Sequence, residues 1–283
     1  MRIAQSAKLS PEALFLYWIQ EREAIRCRRA AKKAKPWTDD EILQSYRFCN
    51  VRRMDDKVSD WLLRNWYHPY FDHPNMLTAA TIARHFNKPE VLDKITGLVL
   101  GAEYLPEAAL RVIQTLKANG QTVFSAAYMI HADKSADKSE MVINRVVQPI
   151  HDGVKIDSSS MQKSVEVLTG CWNIGSFMAG QIVADMRWAV SGTWADRYEW
   201  APLGPGSQRG MNRLEDSDLK RQWRQDMFAD ALKRLFLWVK DELPNVGDRL
   251  EAMDVQNCLC EFDKYSRVLL GEGRPKQLYP GAA

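Results

Sequence analysis

The sequence predicts an all-α, mainly helical protein, and three observations carry that expectation. Helix N-cap residues followed by proline or acidic side chains open several segments, and glycine or proline closes them. Apolar residues then recur at three- and four-residue spacing, while runs of period two are few. The chain of 283 residues, 46% of them apolar, is long enough to bury one large core or two small ones.

Ser10-Pro11-Glu12 combines an N-cap with proline at the first helical position, and Leu14, Trp18 and Ile25 recur near one face. Arg22, Arg26, Arg29 and Lys33 are spaced to share a face of the same helix, which Pro36 closes. Thr38-Asp39-Asp40-Glu41 has the form of a capping box, so a second helix is expected to run through Ile42, Tyr46 and Cys49. Leu105-Pro106-Glu107 starts a helix that Asn119-Gly120 ends; Gln121–Ile130 is compatible with strand or helix, and Ser139–Val147 with helix. Ser217 is expected to open a long helix with Leu219, Trp223, Met227, Leu232, Leu235, Phe236 and Val239 on one stripe, stopped by Pro244 and Gly247. Asp254 caps the last helix, which Gly271 ends.

The net charge of +3 is unevenly distributed. Residues 1–35 carry a net +6 and the remainder −3, so the first helix offers a basic edge, Arg22 to Lys33, that can track phosphates. No apolar run is long enough to span a bilayer and no export signal is visible, so an intracellular protein without a membrane partner is expected. Five sparsely placed cysteines make no disulfide framework, and Cys258-x-Cys260 lacks the second pair that zinc requires. His68 and His73 flank Asp72 as loop hydrogen-bonding groups, and no metal ligands are assigned. The ten tryptophans serve either as core or as a stacking surface for bases.

Leu168–Ala179 passes from one helix into the next through the turn Asn173-Ile174-Gly175. Asn173 is suited to a left-handed backbone, Ile174 can plug the core, and the amides after Gly175, beginning at Ser176, can open an anion site. This segment resembles the helix-hairpin-helix of the DNA glycosylase superfamily, with Asn173 in place of the first glycine and Ala179 at the small position. The resemblance implies two helical lobes around a cleft within a single catalytic unit, 1–283. The hairpin lobe would cover roughly 76–190, and the other lobe 1–75 with 191–283. It also places a catalytic carboxylate near Asp196, whose bland alternative is a loop cap. Phe177 stands where lyase-type members carry lysine, so Schiff-base strand cleavage is not expected. Gly175-x-x-x-x-Gly180 continues into Gln181-Ile182 without the lysine of a phosphate loop, so self-contained kinase chemistry is not expected either.

Three further blocks concentrate polar residues among apolar anchors: Tyr46-Arg-Phe-Cys-Asn-Val-Arg-Arg-Met-Asp-Asp56, Gly204-Pro-Gly-Ser-Gln-Arg-Gly210 and Leu259-Cys-Glu-Phe-Asp-Lys-Tyr-Ser-Arg267. Together they resemble the α-glutamyl/putrescinyl thymine pyrophosphorylase family, which is also similar to the helical domain joined to 5-hydroxymethyluracil DNA kinases. The resemblance runs from about Ser10 to Arg274. It implies a phage-encoded transferase, working in the host cytoplasm, that displaces pyrophosphate from 5-pyrophosphomethyluracil in double-stranded DNA with an amine, an amino acid or putrescine. A 5-hydroxymethyluracil DNA kinase would be its pathway partner. Two other functions stay open: a monofunctional DNA glycosylase using Asp196, and a non-catalytic DNA-binding partner of such a kinase.

Under the first reading Arg47, Arg52 and Arg53 are bidentate donors for pyrophosphate, completed by Lys264 and Arg267, or else they pair structurally with Asp55, Asp56 and Glu261. Asn50 offers donor and acceptor to a uracil edge or to backbone. Asp196 would act as base or ammonium anchor. Gly204, Gly206, Ser207 and Arg209 form a loop that could cradle phosphate. No cofactor is assigned, although the adjacent Asp55 and Asp56 would admit Mg2+.

Overall fold

The computed structural model describes residues 9–127, 130, 137–275 and 278. The fold is all-α: the described residues form helices, turns and one isolated antiparallel bridge between Tyr46 and Leu278, with no strand among them. The chain gathers into two compact units, one containing residues up to 56 and from 197 onward, the other residues 57–196.

Helix α1 (Pro11–Ala30) begins as the sequence predicts, with Ser10 Oγ accepting from Ala13 N–H at 3.3 Å. It ends at Ala30, before Lys33, so Lys33 does not share its face. Helix α2 (Glu41–Ser45) is capped by Asp40, whose Oδ1 accepts from the amides of Ile42 and Leu43; Thr38 instead accepts from Asp40 N–H. The expected second helix therefore stops early, because Tyr46 turns extended, and residues 47–52 form an irregular segment leading to a short 3-10 turn, Arg53–Asp55.

Helix α3 (Lys57–Leu62) continues as a π-helix, Leu63–Tyr67. Helices α4 (Met76–Phe86), α5 (Pro89–Val99) and α6 (Pro106–Ala118) follow, α6 closing at Asn119 and a left-handed Gly120 as its punctuation predicts. Residues 121–127 are neither helix nor strand, and Tyr128 and Met129 lie outside the described residues. The helix expected over Ser139–Val147 is α7 (Lys138–Glu140) running into a π-helix, Met141–Val147, and on into α8 (Gln148–Gly153). Helices α9 (Met161–Thr169) and α10 (Ser176–Ala189) are the two arms of the expected hairpin.

Helix α11 (Pro205–Leu214) occupies the stretch read from sequence as a glycine loop. Helix α12 (Gln225–Glu242) starts eight residues later than expected. The reason is Asn212: its amide donates to the carbonyls of Leu219 and Arg221, and its oxygen accepts from Trp223 Nε1, holding that stretch as turns. Met227, placed on the buried stripe by its spacing, is half exposed. After α13 (Pro244–Gly247), helix α14 (Ala252–Leu269) begins with a capping box in which Glu251 is the N-cap and Asp254 the third helical residue.

In the first unit α14 is the central element, packed against α11, α1 and α12, with Phe15, Trp18, Phe262 and Tyr265 fully buried. In the second, α4 is buried along almost its whole length against α10 and α5. Its one guanidinium, Arg84, meets Asp185 of α10 in the interior: Arg84 Nη2 lies 2.6 Å from Asp185 Oδ1, and Tyr67 OH donates to Asp185 Oδ2 at 2.6 Å. Ser59 Oγ and Asn87 Oδ1 accept from the same guanidinium. Buried charge of this kind persists only when every polar group is partnered. Tyr67 and Ser59 thereby tie residues 57–67 into the unit that contains the hairpin, which extends it beyond the 76–190 expected from sequence.

Candidate functional site

The three sequence blocks meet on α14. Cys49 N–H donates to Glu261 Oε2 at 2.9 Å, Arg53 N–H to Asp254 Oδ1 at 2.8 Å, and Cys258 Sγ contacts Val51 O at 3.7 Å, so the irregular segment lies along α14. Arg22 fixes its other side. That side chain is 2% exposed, with Nε donating to Cys49 O and Nη2 to Phe48 O and to Asn50 Oδ1. The basic edge expected on α1 is corrected accordingly: Arg22 faces the core, Arg26 pairs with Glu23 at 2.6 Å, and only Arg29 and Lys33 are exposed, near Trp37.

Asn50 is likewise committed inside the fold. Its side-chain amide donates to Asp55 O and its oxygen accepts from Arg22, so the free base-reading edge expected of it is not present. Its backbone N–H donates to Asp56 Oδ1 at 2.9 Å. Desolvation pushes the Asp56 carboxyl up to about 6, against the pull of that hydrogen bond and of the Arg22 and Arg53 charges. A raised carboxylate pKa means that the fold prefers the protonated form. Asp56 therefore costs no stability below its unfolded value near 3.8, and the cost develops as pH rises through 6. Asp56→Asn is expected to unfold at higher denaturant than the parent at pH 8, by about 1–3 kcal/mol, and to match it near pH 4. Urea titrations at the two pH values check this; an equal difference at both would contradict it.

Arginines assemble in two clusters. In one, Arg26, Arg52 and Arg249 surround Glu23 and Asp55 at 2.6–3.7 Å. In the other, Arg209, Arg213 and Arg267 surround Asp263 of α14. Lys264 pairs with Glu261 at 3.0 Å and lies over the Phe48 ring, while Arg47 is exposed without an ion pair among the described residues. The expected single clamp of Arg47, Arg52, Arg53, Lys264 and Arg267 is thus divided among separate partners. Asp55 and Asp56 also diverge, one among guanidiniums and the other on the Asn50 amide, which is not a shared cation site. Among the described residues no group of three or more His, Cys, Asp or Glu is placed to hold a metal ion.

The glycine block is a helix rather than a phosphate cradle. Gly204 is the N-cap of α11, and Ser207 is buried, bonded to Gly204 and accepting from Gln256 Nε2. A Cβ at Gly206 would lie 3.1 Å from Cys260 Sγ, and one at Gly210 only 2.1 Å from Leu259 O. These glycines let α11 and α14 touch backbone to backbone, which removes Gly204, Gly206 and Ser207 from the anion site proposed on sequence.

In the second unit the turn keeps the expected form: Asn173 has φ 60°, Ile174 is buried, and a Cβ at Gly175 would meet nothing within 4 Å, leaving the start of α10 at Ser176 open to approach. Trp172 and Phe177 are about half exposed beside it, and the Arg145 guanidinium stacks 4.2 Å from the Trp172 ring centre. Asp196 caps α9, accepting from Ser160 Oγ and the amides of Met161 and Gln162 at 2.7–2.9 Å. Both of its oxygens are engaged in that cap, which is the alternative role read for Asp196 from sequence. His73 Nδ1 accepts from Asn75 N–H, a loop role as expected. A cavity of about 350 Å³ in the first unit, lined by Glu41, Tyr46, Val268 and Arg274 among others, contains none of the candidate catalytic or binding residues read from sequence. Sequence reasoning missed Arg84, Asp185, Arg213 and Arg249; a lone arginine within the apolar run of α4 is the signal that could have found the first.

Over residues 12–274 the chain matches the family described as 5-hmdU DNA kinase, helical domain. It is similar to the 5-hmdU DNA kinase of Bacillus phage SP10, with 27% identity across 88% of this chain and 44% of that kinase. The chain thus spans less than half the length of the curated relative it matches. No solved structure matches it. No helix among the described residues is long and apolar enough to cross a membrane.

Proposed function

Because the chain belongs to the family of 5-hmdU DNA kinase helical domains, we propose that it acts in a phage pathway of thymine hypermodification, as a transferase that displaces pyrophosphate from 5-pyrophosphomethyluracil in duplex DNA with an amine. The observation that carries this reading is the meeting of the three sequence blocks on α14, which brings their five arginines, Arg47, Arg52, Arg53, Arg209 and Arg267, and Lys264 onto one unit with the carboxylate of Asp56. In the reaction the amine nitrogen attacks the 5-methylene carbon, the carbon–oxygen bond to pyrophosphate breaks, and the nitrogen releases a proton. An amine of pKa about 10 is mostly protonated at neutral pH, so a base with pKa near the working pH assists it. Asp56 fits that role better than Asp196. Arg52 and Arg53 adjoin Asp56 in the chain and supply cationic donors for the departing oxygens. The open helix start at Gly175 and Ser176, with Trp172 and Phe177 beside it, is suited to hold the DNA backbone while the modified base leaves the stack. The amine is an amino acid or putrescine.

The test is duplex DNA carrying 5-pyrophosphomethyluracil, incubated with several amines with and without Mg2+, followed by pyrophosphate release and nucleoside mass spectrometry. A new amine-bearing nucleoside is expected, with turnover at least tenfold lower in Arg52→Ala; absence of product with every amine would reject the reading. The match to a helical domain found in 5-hmdU DNA kinases favours a second reading, a non-catalytic DNA-binding partner of a 5-hydroxymethyluracil DNA kinase. That reading expects salt-dependent duplex binding and no pyrophosphate release.

A further inference from the structure

Asp263 is 1% exposed and accepts from Arg209 Nη2 at 2.6 Å and Nε at 3.1 Å and from Arg213 Nε at 2.8 Å; Arg267 Nε stands 3.4 Å away. One guanidinium would neutralise this carboxylate, yet three converge on it. Glu272 accepts from both Nη atoms of Arg213, so three cations face two carboxylates and an excess positive charge remains. Arg213 is the buried member at 8% exposure, and its guanidinium holds Asp263 and Glu272 together. Arg209 and Arg267 are 42% and 35% exposed. Arg209 Nη1 and both Nη atoms of Arg267 make no hydrogen bond among the described residues.

Exposed arginines ordinarily lose rotamer freedom when they bind an anion. Here the buried carboxylate already holds Arg209 by two hydrogen bonds and draws Arg267 to ion-pair distance, and their outer N–H groups make no hydrogen bond among the described residues. Two guanidinium forks with excess charge exceed what a monocarboxylate uses, and they match a phosphoryl group, whether a terminal one with three oxygens and a charge near −2 or a phosphodiester with two free oxygens and a single charge. The backbone contact at Gly210 keeps α11, and therefore Arg209 and Arg213, in register with Arg267 on α14.

We propose that Arg209 and Arg267, positioned by Asp263 and Arg213, form a binding site for a phosphoryl anion, supplied either as free pyrophosphate or as a backbone phosphate of duplex DNA. This inference is independent of the amine-transfer reading, since it is tested by binding alone. Calorimetry with inorganic pyrophosphate and fluorescence anisotropy with an unmodified duplex are run at matched ionic strength on the full chain and on Arg209→Gln, Arg267→Gln and Arg209→Lys. If the source is pyrophosphate, each glutamine variant binds it at least tenfold more weakly, and the lysine variant falls between because it lacks the fork. If the source is DNA, pyrophosphate binding is weak throughout, but duplex affinity falls and the slope of log K against log salt shrinks by about one per arginine removed. Unliganded melting temperatures report whether the variants fold. Folded variants that match the parent in both measurements would overturn the proposal.

Discussion

Arg84→Ala is expected to lower stability by about 3–5 kcal/mol, because it leaves the Asp185 carboxylate, with no exposed surface, without its counter-ion. The loss exceeds that of a cavity of the same size, since the buried carboxylate loses the paired guanidinium hydrogen bonds and keeps a neutral donor, Tyr67 OH, in their place. Urea unfolding checks the magnitude, and two controls separate charge from packing. A double variant, Arg84→Met with Asp185→Leu, is expected to recover much of the loss, because an apolar pair of similar volume avoids the desolvation of both ions. In the single alanine variant the stranded carboxyl prefers its protonated form, so the deficit should be smaller at pH 5 than at pH 8. Equal losses in single and double variants would show that packing, not charge, dominates at this position.

Gly210→Ala comes next in size. The added Cβ would lie 2.1 Å from Leu259 O and 2.6 Å from Leu259 C, atoms of a helix backbone that cannot rotate aside. Relief requires α11 to move from α14, at a cost of about 3 kcal/mol. The same shift would separate Arg209 and Arg213 from Asp263. Gly175→Ala is the matching control: its φ of −85° suits any residue and its Cβ meets nothing within 4 Å, so melting should change by no more than about 0.5 kcal/mol. A destabilised Gly175→Ala beside a normal Gly210→Ala would reverse the assignment of the two glycines.

Helix starts were legible where proline occupies the first position, as at Pro11 and Pro106, because proline's fixed φ and missing N–H act locally. They were illegible where a side chain from elsewhere decides. Asn212 holds the turns before α12, and the glycines at 204, 206 and 210 suggested a loop because the purpose of the two inside α11, contact with Cys260 and Leu259, lies some fifty residues away. Arg22 shows a different failure. The spacing that groups it with Arg26 and Arg29 also groups it with Trp18 and Ile25, and the buried side of the helix prevailed once the carbonyls of Phe48 and Cys49 needed donors. The polar blocks were visible as blocks, whereas their meeting on α14 depends on pairs such as Cys49 and Glu261, 212 residues apart.

The order in which the chain leaves the ribosome gives the two units unequal histories. Residues 57–196 are continuous and can close as soon as they are made. The other unit cannot: Arg22, Asn50 and Asp56 are synthesised early, but Glu261 and Asp263 arrive about 200 residues later, roughly 10–40 s at ordinary translation rates. During that interval the segment that follows α2 has no α14 to lie against, so its arginines and carboxylates face solvent and each other. The helix that gathers the three blocks is thus made only after the whole of the other unit, and the arginine-rich face comes into being only once α14 has been synthesised.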